Sequence, residues 1–160
     1  MVYLVDTREH ENKNTHITDV WDKLGIQWKK KKLDYGDYSF KLPQNSDLGI
    51  PWDLDFSKKI VVERKNSLDE LAGNITDDRE RLKREFALAP SEKVLLIENA
   101  TYSDMLHGNY RSHYAAKSFW ATIHSFWHEY GIPVMFMPDP KDSAYFIRGY
   151  FQYWLRNYLK

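Results

Sequence analysis

The amino-acid sequence predicts one α/β domain in which helices flank a central mixed β-sheet. Short apolar runs typical of buried strands alternate along the 160 residues with stretches whose apolar side chains recur at helical spacing. A chain of this length can bury a hydrophobic core and leaves little room for a second domain. We therefore expect residues 1–160 to form a single domain.

The first half of the chain contains strand-like segments and one helix. Residues 2–5 are typical of a buried strand, and residues 17–24 have helical spacing and end at Gly25, a common stop signal. One or two extended segments are expected within residues 27–40. Residues 42–57 contain prolines and a glycine, which favours a loop or a loose hairpin.

The second half alternates strands and helices more regularly. Residues 60–65 and 93–98 are strand-like, and Ser67 with Glu70 forms a capping-box signature that opens a helix between them. Another helix is expected over residues 81–88. The remaining elements are a helix, a strand and a last helix at residues 112–130, 134–137 and 141–159.

The composition excludes several classes of site. Lys plus Arg and Asp plus Glu both number 23, so the zero net charge gives no general attraction to nucleic acid. The absence of cysteine excludes disulfides, thiolate zinc sites and cysteine nucleophiles. No leader and no apolar run of about eighteen residues is apparent. We therefore expect a cytoplasmic protein that is not associated with a membrane.

The most informative pattern is Gly36-Asp37-Tyr38 followed by Glu63-Arg64-Lys65. Side chains alternate along a strand, so Glu63 and Lys65 point the same way, roughly 6–7 Å apart, and Arg64 points to the other face. Asp37 adds a second carboxylate if its strand pairs with this one. Two carboxylates with water and phosphate oxygens suit Mg²⁺ or Mn²⁺. The pattern predicts a metal site for phosphodiester hydrolysis, and the simpler alternative is a surface ion-pair cluster.

With Asp6-Thr7-Arg8-Glu9 after the first strand, the Gly-Asp pair, the Glu-Arg-Lys triplet and a following acid, the chain resembles the XPF/Hef family of structure-specific endonucleases. The order and spacing match the nuclease domain of that family almost end to end. Carried over by position, the catalytic set would be Asp6, Arg8, Asp37, Glu63, Arg64, Lys65 and Asp69, with Asp37, Glu63 and Asp6 as metal ligands.

The resemblance implies a restriction-endonuclease-like fold and divalent-metal hydrolysis of DNA. It also implies a preference for branched, flapped or junction DNA, as in repair, recombination or phage replication. We accordingly expect the protein to be associated with nucleic acid, in a prokaryotic or phage-infected cell. The sequence departs from the family in three respects. We expect no helix-hairpin-helix or helicase domain within residues 1–160, the loop before Glu63 is long, and Asp78-Arg79 replaces a Gly-Arg pair.

Basic residues near the motif are candidates for contacts that grip the DNA backbone without reading its sequence. They are Lys30, Lys31, Lys32, Arg79, Arg81, Lys83 and Arg84. The alternative is that these runs are solvated faces. Aromatic residues make up 16% of the chain, which is difficult to bury in one small domain. We therefore hypothesise a homodimer through the C-terminal helices, as the resemblance also suggests.

Several residues keep a structural alternative. Asp6 could simply end a strand, and Asp69 lies in a first helical turn, where an acid is favourable for electrostatic reasons alone. His124 and His128 have zinc-ligand spacing, but no third ligand is near in sequence, which favours a structural role. The 42–57 loop is a lid, a DNA wedge or a packed hairpin.

Two other functions remain open at this point. One is a non-catalytic DNA-binding or dimerisation subunit, although the motif acids are all present. The other is a sequence-specific restriction-type endonuclease or mismatch nicking enzyme on the same fold. Cleavage that depends on DNA shape, and not on a defined sequence, would separate the junction endonuclease from this second alternative.

Overall fold

The computed structural model describes residues 1–9 and 11–160, with side chains for residues 1–9 and 12–160. The strands are β1 Val2–Val5, β2 Gln27–Lys30, β3 Tyr38–Leu42, β4 Leu54–Asp55, β5 Ile60–Lys65, β6 Glu92–Glu98 and β7 Val134–Met137. The helices are α1 Glu11–Lys23, α2 Leu68–Asp77, α3 Arg79–Leu88, α4 Tyr102–His107, α5 Ala116–Tyr130 and α6 Ser143–Tyr158. Within this part of the chain the architecture is α/β, as predicted.

The strands form one mixed sheet. Its order is β2-β1-β3-β5-β6-β7, with β4 paired to the end of β3. β1 runs parallel to β2 and antiparallel to β3, which in turn is antiparallel to β5. β5, β6 and β7 are parallel to one another. This arrangement sets the start of β3 beside the C-terminal half of β5, where the motif residues lie.

Helices cover the two faces of the sheet unequally. On one face α1 and α6 pack through Trp21 and Phe151 against a core that includes Tyr38 and Val62. On the other face α2, α3, α4 and α5 enclose a second core around β6, which includes Leu95. Burying each such large apolar side chain stabilises the fold by roughly 1.5–3 kcal/mol. Because side chains alternate along β5, the neighbours of Val62 point to the α2 and α3 side.

Two helices begin four or more residues away from their predicted starts. The helix predicted at residues 17–24 begins at Glu11, because its polar first turns make tertiary contacts in place of apolar ones. The Lys13 carbonyl accepts a hydrogen bond from Arg64, and His16 contacts Glu98. The helix predicted from residue 112 begins at Ala116, because the preceding segment is a loop held by Asp69.

Helix α4 has a local signal that apolar periodicity does not show. Thr101 caps it, and Thr101 and Asp104 exchange the two hydrogen bonds of a capping box. Gly108 ends it in the left-handed conformation. The cap of α2 is looser, because Ser67 accepts from the Glu70 amide while the Glu70 side chain accepts from Asn66.

The segment at residues 42–57 is the expected loose hairpin. Asn45 and Ile50 form a bridge around a short 3₁₀ turn, Ser46–Leu48, and β4 then pairs with β3. Trp52 at its tip is 66% exposed. Every helix in the described part of the chain is too short or too polar to cross a bilayer.

Candidate active site

Asp37 is fastened to β5 by hydrogen bonds on both sides of Glu63. Its backbone N–H donates to the Val62 carbonyl over 2.8 Å, and its Oδ2 accepts from the Arg64 N–H over 2.7 Å. This pairing continues the antiparallel register in which Tyr38 faces Val62. The two carboxylate-bearing residues of the motif are therefore neighbours on adjacent strands.

Glu63 and Lys65 share one face of β5, as the strand period predicts. The Lys65 Nζ lies 3.6 Å from the Glu63 Oε1, and the two side chains are 11% and 20% exposed. Both are thus largely withdrawn from water but still open to the cleft beside them. An acid pair with an adjacent amine can hold a cation against a phosphate and can orient a water molecule.

The two carboxylates oppose each other's ionisation. Burial raises the pKa of Asp37 well above its usual range, and the negative charges of Glu63 and Glu9 raise it further. Burial also raises the pKa of Glu63, against the opposing effect of the Lys65 ammonium. A bound cation would relieve both effects, because positive charge favours the ionised form of each acid.

These side chains line a cleft of about 460 Å³ between the sheet and α3. Its lining includes Asp6, Arg8, Asp37, Glu63 and Lys65. Among the basic candidates, Arg81 and Arg84 of α3 also line it. The fold thus gathers five of the seven candidate catalytic residues and two cationic side chains around one cavity.

Asp6 and Arg8 fasten the loop that delivers Asp37. Asp6 is 1% exposed; its Oδ1 accepts from the Leu33 N–H over 2.9 Å and its Oδ2 from the Arg8 Nε over 2.5 Å. The Arg8 Nη2 in turn donates to the Leu33 carbonyl over 2.9 Å. Asp6 therefore has both oxygens engaged in holding residues 31–37 against the sheet.

Arg64 points to the opposite face, as predicted, and forms a buried ionic network there. Its guanidinium lies 3.1 Å from the Glu98 carboxylate and 3.2 Å from that of Glu9, and it donates to the Lys13 carbonyl over 2.8 Å. Glu98 also contacts His16 over 2.8 Å. The side chain of Arg64 braces α1 and β6, while its backbone N–H holds Asp37.

Asp69 lies outside the cleft. Its Oδ1 accepts hydrogen bonds from the Arg111 and Ser112 amides over 2.9 and 2.7 Å. These bonds tie the loop before α5 to the first turn of α2. These hydrogen bonds account for an acid at this position without any role in the reaction. Asp69 is also not among the residues that line the cleft.

The remaining basic candidates lie apart from the cleft. Arg79 donates to the Thr122 hydroxyl over 3.2 Å and lies 5.8 Å from the centre of the Phe126 ring, so it packs against α5. Lys31 pairs with Asp55 of the hairpin. Lys30, Lys32 and Lys83 do not line the cleft either.

Other cleft residues carry no motif signal in the sequence. Tyr35, Asn74, Lys93 and the apolar side chains of α3 line it as well. Lys93 begins the predicted strand directly after Glu92, so no local pattern distinguishes it from an exposed residue at a strand end. Glu9 and Glu98 are likewise recognisable only through their contacts with Arg64.

The site offers the carboxylates of Asp37 and Glu63 as ligands for a cation. Among residues 1–9 and 12–160, no group of three or more His, Cys, Asp or Glu side chains is arranged to hold a metal ion. Mg²⁺ is commonly held by one or two carboxylates with waters and substrate phosphates, so Asp37 and Glu63 fit that mode of binding.

Comparison with known proteins gives a domain match and a shared fold. The ERCC4 domain matches residues 5–150 of the chain. A structure of XPF from Aeropyrum pernix in complex with DNA has a TM-score of 0.68 at 23% identity, covering 98% of this chain and 66% of that one. A second structure of XPF from the same organism has a TM-score of 0.65 at 24% identity, covering 95% and 60%. The chain therefore spans less than two thirds of either protein. No curated protein matches it.

Proposed function

The chain belongs to the ERCC4 domain family, and from that premise we propose that it is a metal-dependent endonuclease that hydrolyses phosphodiester bonds in branched, flapped or junction DNA. The observation that carries the proposal is the meeting of Asp37, Glu63 and Lys65 at one cleft. Such a substrate fits a role in repair, recombination or phage replication in the cytoplasm.

Asp37 and Glu63, together with Asp6, are the acids that would hold Mg²⁺ or Mn²⁺. When bound, the ion lowers the pKa of a water molecule and stabilises negative charge on the phosphate. Asp6 contributes chiefly by fixing Arg8 and the loop at Leu33, since both of its oxygens already accept hydrogen bonds.

The protein's own groups position the reactants around the phosphate. Lys65 orients the attacking water or neutralises charge as it develops on the phosphate oxygens, because its Nζ lies next to Glu63. Arg8 lines the same wall and adds positive charge near the carboxylates. The Arg64 side chain lies on the opposite face of the sheet. Its backbone N–H holds Asp37 in place.

Arg81 and Arg84 are the strongest candidates for contacts to the DNA backbone. Both are exposed side chains on α3 and line the cleft that contains the carboxylates. Lys30 ends β2, and Lys31 and Lys32 begin the loop fastened by Asp6, so they would contact DNA farther from the reacting phosphate. Arg79 and Lys83 have a weaker case, since Arg79 packs on α5. Binding through these groups should weaken steeply with salt.

A homodimer through the C-terminal helices is also part of the proposal. On α5 and the adjoining α4, four large apolar side chains are each about two-fifths exposed: Tyr102, Leu106, Trp120 and Trp127. Contiguous exposed apolar surface of this kind marks protein contact sites. Helix α6 exposes Tyr145 and Tyr153 on the other side of the sheet.

The test is cleavage of linear duplex, flap, fork and four-way junction substrates with and without Mg²⁺. We expect cleavage only with the divalent ion and only where the DNA is branched. Cutting of linear duplex at a defined sequence would favour a restriction-type enzyme instead, and binding without any cutting would favour a non-catalytic subunit.

Glu63→Gln is the variant that tests the site itself. It removes a metal-binding charge but preserves side-chain shape, so we expect the rate to fall by about a hundredfold or more while DNA affinity and fold persist. Glu92→Gln on the neighbouring strand is the matched control, because Glu92 is exposed and does not line the cleft. Metal-dependent cutting at the normal rate by Glu63→Gln would contradict the assignment.

A further inference from the structure

The cleft extends beyond the groups that the proposed hydrolysis uses. Besides Asp37, Glu63 and Lys65, its walls include apolar side chains of α3 and of the segment that follows α5. These apolar residues are Leu82, Phe86, Leu88 and Ile132. A hydrated cation and a phosphate gain nothing from such walls, so this part of the cleft suits a different portion of the substrate.

Lys93 is a buried amine in this cleft. It lies on β6 directly opposite Val61 of β5, and it is 6% exposed. Its Nζ donates one hydrogen bond, to the Pro90 carbonyl over 3.0 Å. No carboxylate of the described residues forms an ion pair with it. An ammonium has three donors, so Lys93 keeps donors for an acceptor that arrives with a ligand.

Asn74 contributes the complementary polarity. Its side chain lines the same cleft, and its Oδ1 is buried and accepts no hydrogen bond from the described residues. Buried polar atoms are rarely left unpaired, and each exception calls for a partner. Together with Lys93, the cleft thus offers both an unused acceptor and unused donors among apolar walls.

Tyr35 contributes an aromatic side chain to the same cleft. A Cβ at Gly36 would lie only 2.7 Å from the Val61 Cβ, so the turn at residues 35–36 rests directly on Val61. Tyr35 lines the cleft there, and Val61 is the strand neighbour of Lys93. Val61 and Glu63 are successive residues on one strand face, roughly 6–7 Å apart. This region therefore adjoins the carboxylates.

We propose that the region around Tyr35, Asn74 and Lys93 is a nucleobase subsite, which receives one unstacked base next to the scissile phosphate. A base is a flat apolar ring whose edge carries donors and acceptors, and this combination matches the apolar walls, Tyr35 and the two unused polar groups. The inference rests on the proposed DNA cleavage. It deepens that function by naming what selects the substrate.

The subsite explains a preference for branched DNA by an energetic difference. A base inside a duplex must be unpaired and unstacked before it can enter a pocket, whereas a base at a flap or fork is already free of its partner. Stacking on an aromatic side chain and a charged hydrogen bond then hold the free base in place. Linear duplex lacks a base that can reach Lys93 without that cost.

The experiment combines Lys93→Met with abasic substrates. Met has a similar length but no donors, and an abasic nucleotide removes one base on either side of the cut, one position at a time. For the wild type, we expect an abasic nucleotide at one position to lower kcat/KM on the order of tenfold. Lys93→Met should lower kcat/KM similarly on intact flap DNA and should show little further loss on that abasic substrate.

The exposed Lys141→Met is the control for a lost positive charge, and it should behave as the wild type on every substrate. Equal losses for Lys93→Met on intact and abasic DNA at every position would overturn the subsite. So would wild-type cleavage that ignores abasic nucleotides throughout. A wild type that cuts no DNA at all would instead show that the proposed function itself is wrong.

Binding gives a second readout that needs no cleavage. In the Glu63→Gln background, the fluorescence of 2-aminopurine at the sensitive position should change when the protein binds, because the base exchanges its surroundings in the DNA for the subsite. Adding Lys93→Met should abolish that change in fluorescence while thermal unfolding shows an intact fold. The same change in fluorescence in the double variant would also overturn the proposal.

Discussion

At the scale of single residues, the arrangement around Asp37 works against the stability of the free protein. Asp37 accepts the Arg64 N–H and lies beside Glu63, so two acids are held together and largely out of water. Keeping such charges close costs folding free energy, which a bound cation and substrate would offset. Sites prepared for a charged ligand commonly have this property.

We expect Asp37→Asn to be more stable than the wild type at neutral pH in buffer that contains a chelator. The folded chain binds the Asp37 proton more tightly than the unfolded chain, because the pKa of Asp37 is raised. Stability therefore falls as pH rises from the ordinary Asp pKa of about 3.9 through the raised one. The advantage of the variant should vanish below that interval.

Urea unfolding of both proteins across this pH range measures the difference. Asp47→Asn is the control, since Asp47 is an exposed acid of the hairpin turn outside the cleft and should not share the gain in stability at neutral pH. A variant that is less stable than the wild type at neutral pH would be evidence against this account of Asp37.

At the scale of elements, the strands could be predicted more fully than the segments between them. The apolar runs and the period of β5 suffice to place Glu63 and Lys65 on one face and Arg64 on the other. The first turns of α1 could not be predicted, because Arg64 and Glu98 stabilise them from distant parts of the chain. Lys93 belongs to the cleft only because β6 pairs with β5, which no local pattern reveals.

The turn before β3 is the element whose stability we expect to be most sensitive to one added methyl group. Gly36 has a φ of 74°, and a Cβ there would clash with Val61, whereas Gly25 has a φ of 70° and open space around it. We expect Gly25→Ala to cost about 1–2 kcal/mol for the left-handed backbone alone. Gly36→Ala should cost roughly 1–3 kcal/mol more from overpacking, and it should also displace Asp37.

Equilibrium unfolding in urea gives both free energies, and metal-dependent cleavage shows whether Asp37 has moved. Because the two glycines share a backbone conformation, the difference between the variants isolates the contact with Val61. Equal losses of stability in Gly25→Ala and Gly36→Ala would mean that the turn moves to accommodate the added methyl group. The inference that the contact with Val61 fixes the turn before Asp37 would then be wrong.

At the scale of the whole molecule, α5 and α6 lie on opposite faces of the sheet. A single dimer contact that included both helices would have to reach across an edge or an end of the sheet. The surface of α4 and α5 is the more continuous of the two, because Trp120 donates to the Tyr102 hydroxyl over 2.7 Å and joins the helices. We therefore expect the principal contact of the proposed dimer at this surface.

Light scattering at micromolar concentration should give twice the mass of the chain for the wild type. Trp127→Glu puts a charge into the α5 surface, where Trp127 is 41% exposed, and should give the mass of a monomer. Tyr153→Glu on α6, where Tyr153 is 56% exposed, is the matched control and should leave the dimer intact. A monomeric wild type, or dissociation only by Tyr153→Glu, would refute this placement.

Variants of Arg64, the middle residue of the Glu-Arg-Lys triplet, should behave differently in mutational scanning from variants of Glu63 and Lys65. Arg64 holds a cleft carboxylate by its amide while its guanidinium anchors the far side of the sheet. A scan scored only by DNA cutting would rank it with Glu63 and Lys65, and the three would look alike. Scoring cellular abundance in parallel would distinguish them, because only Arg64 variants should be depleted before they ever encounter DNA.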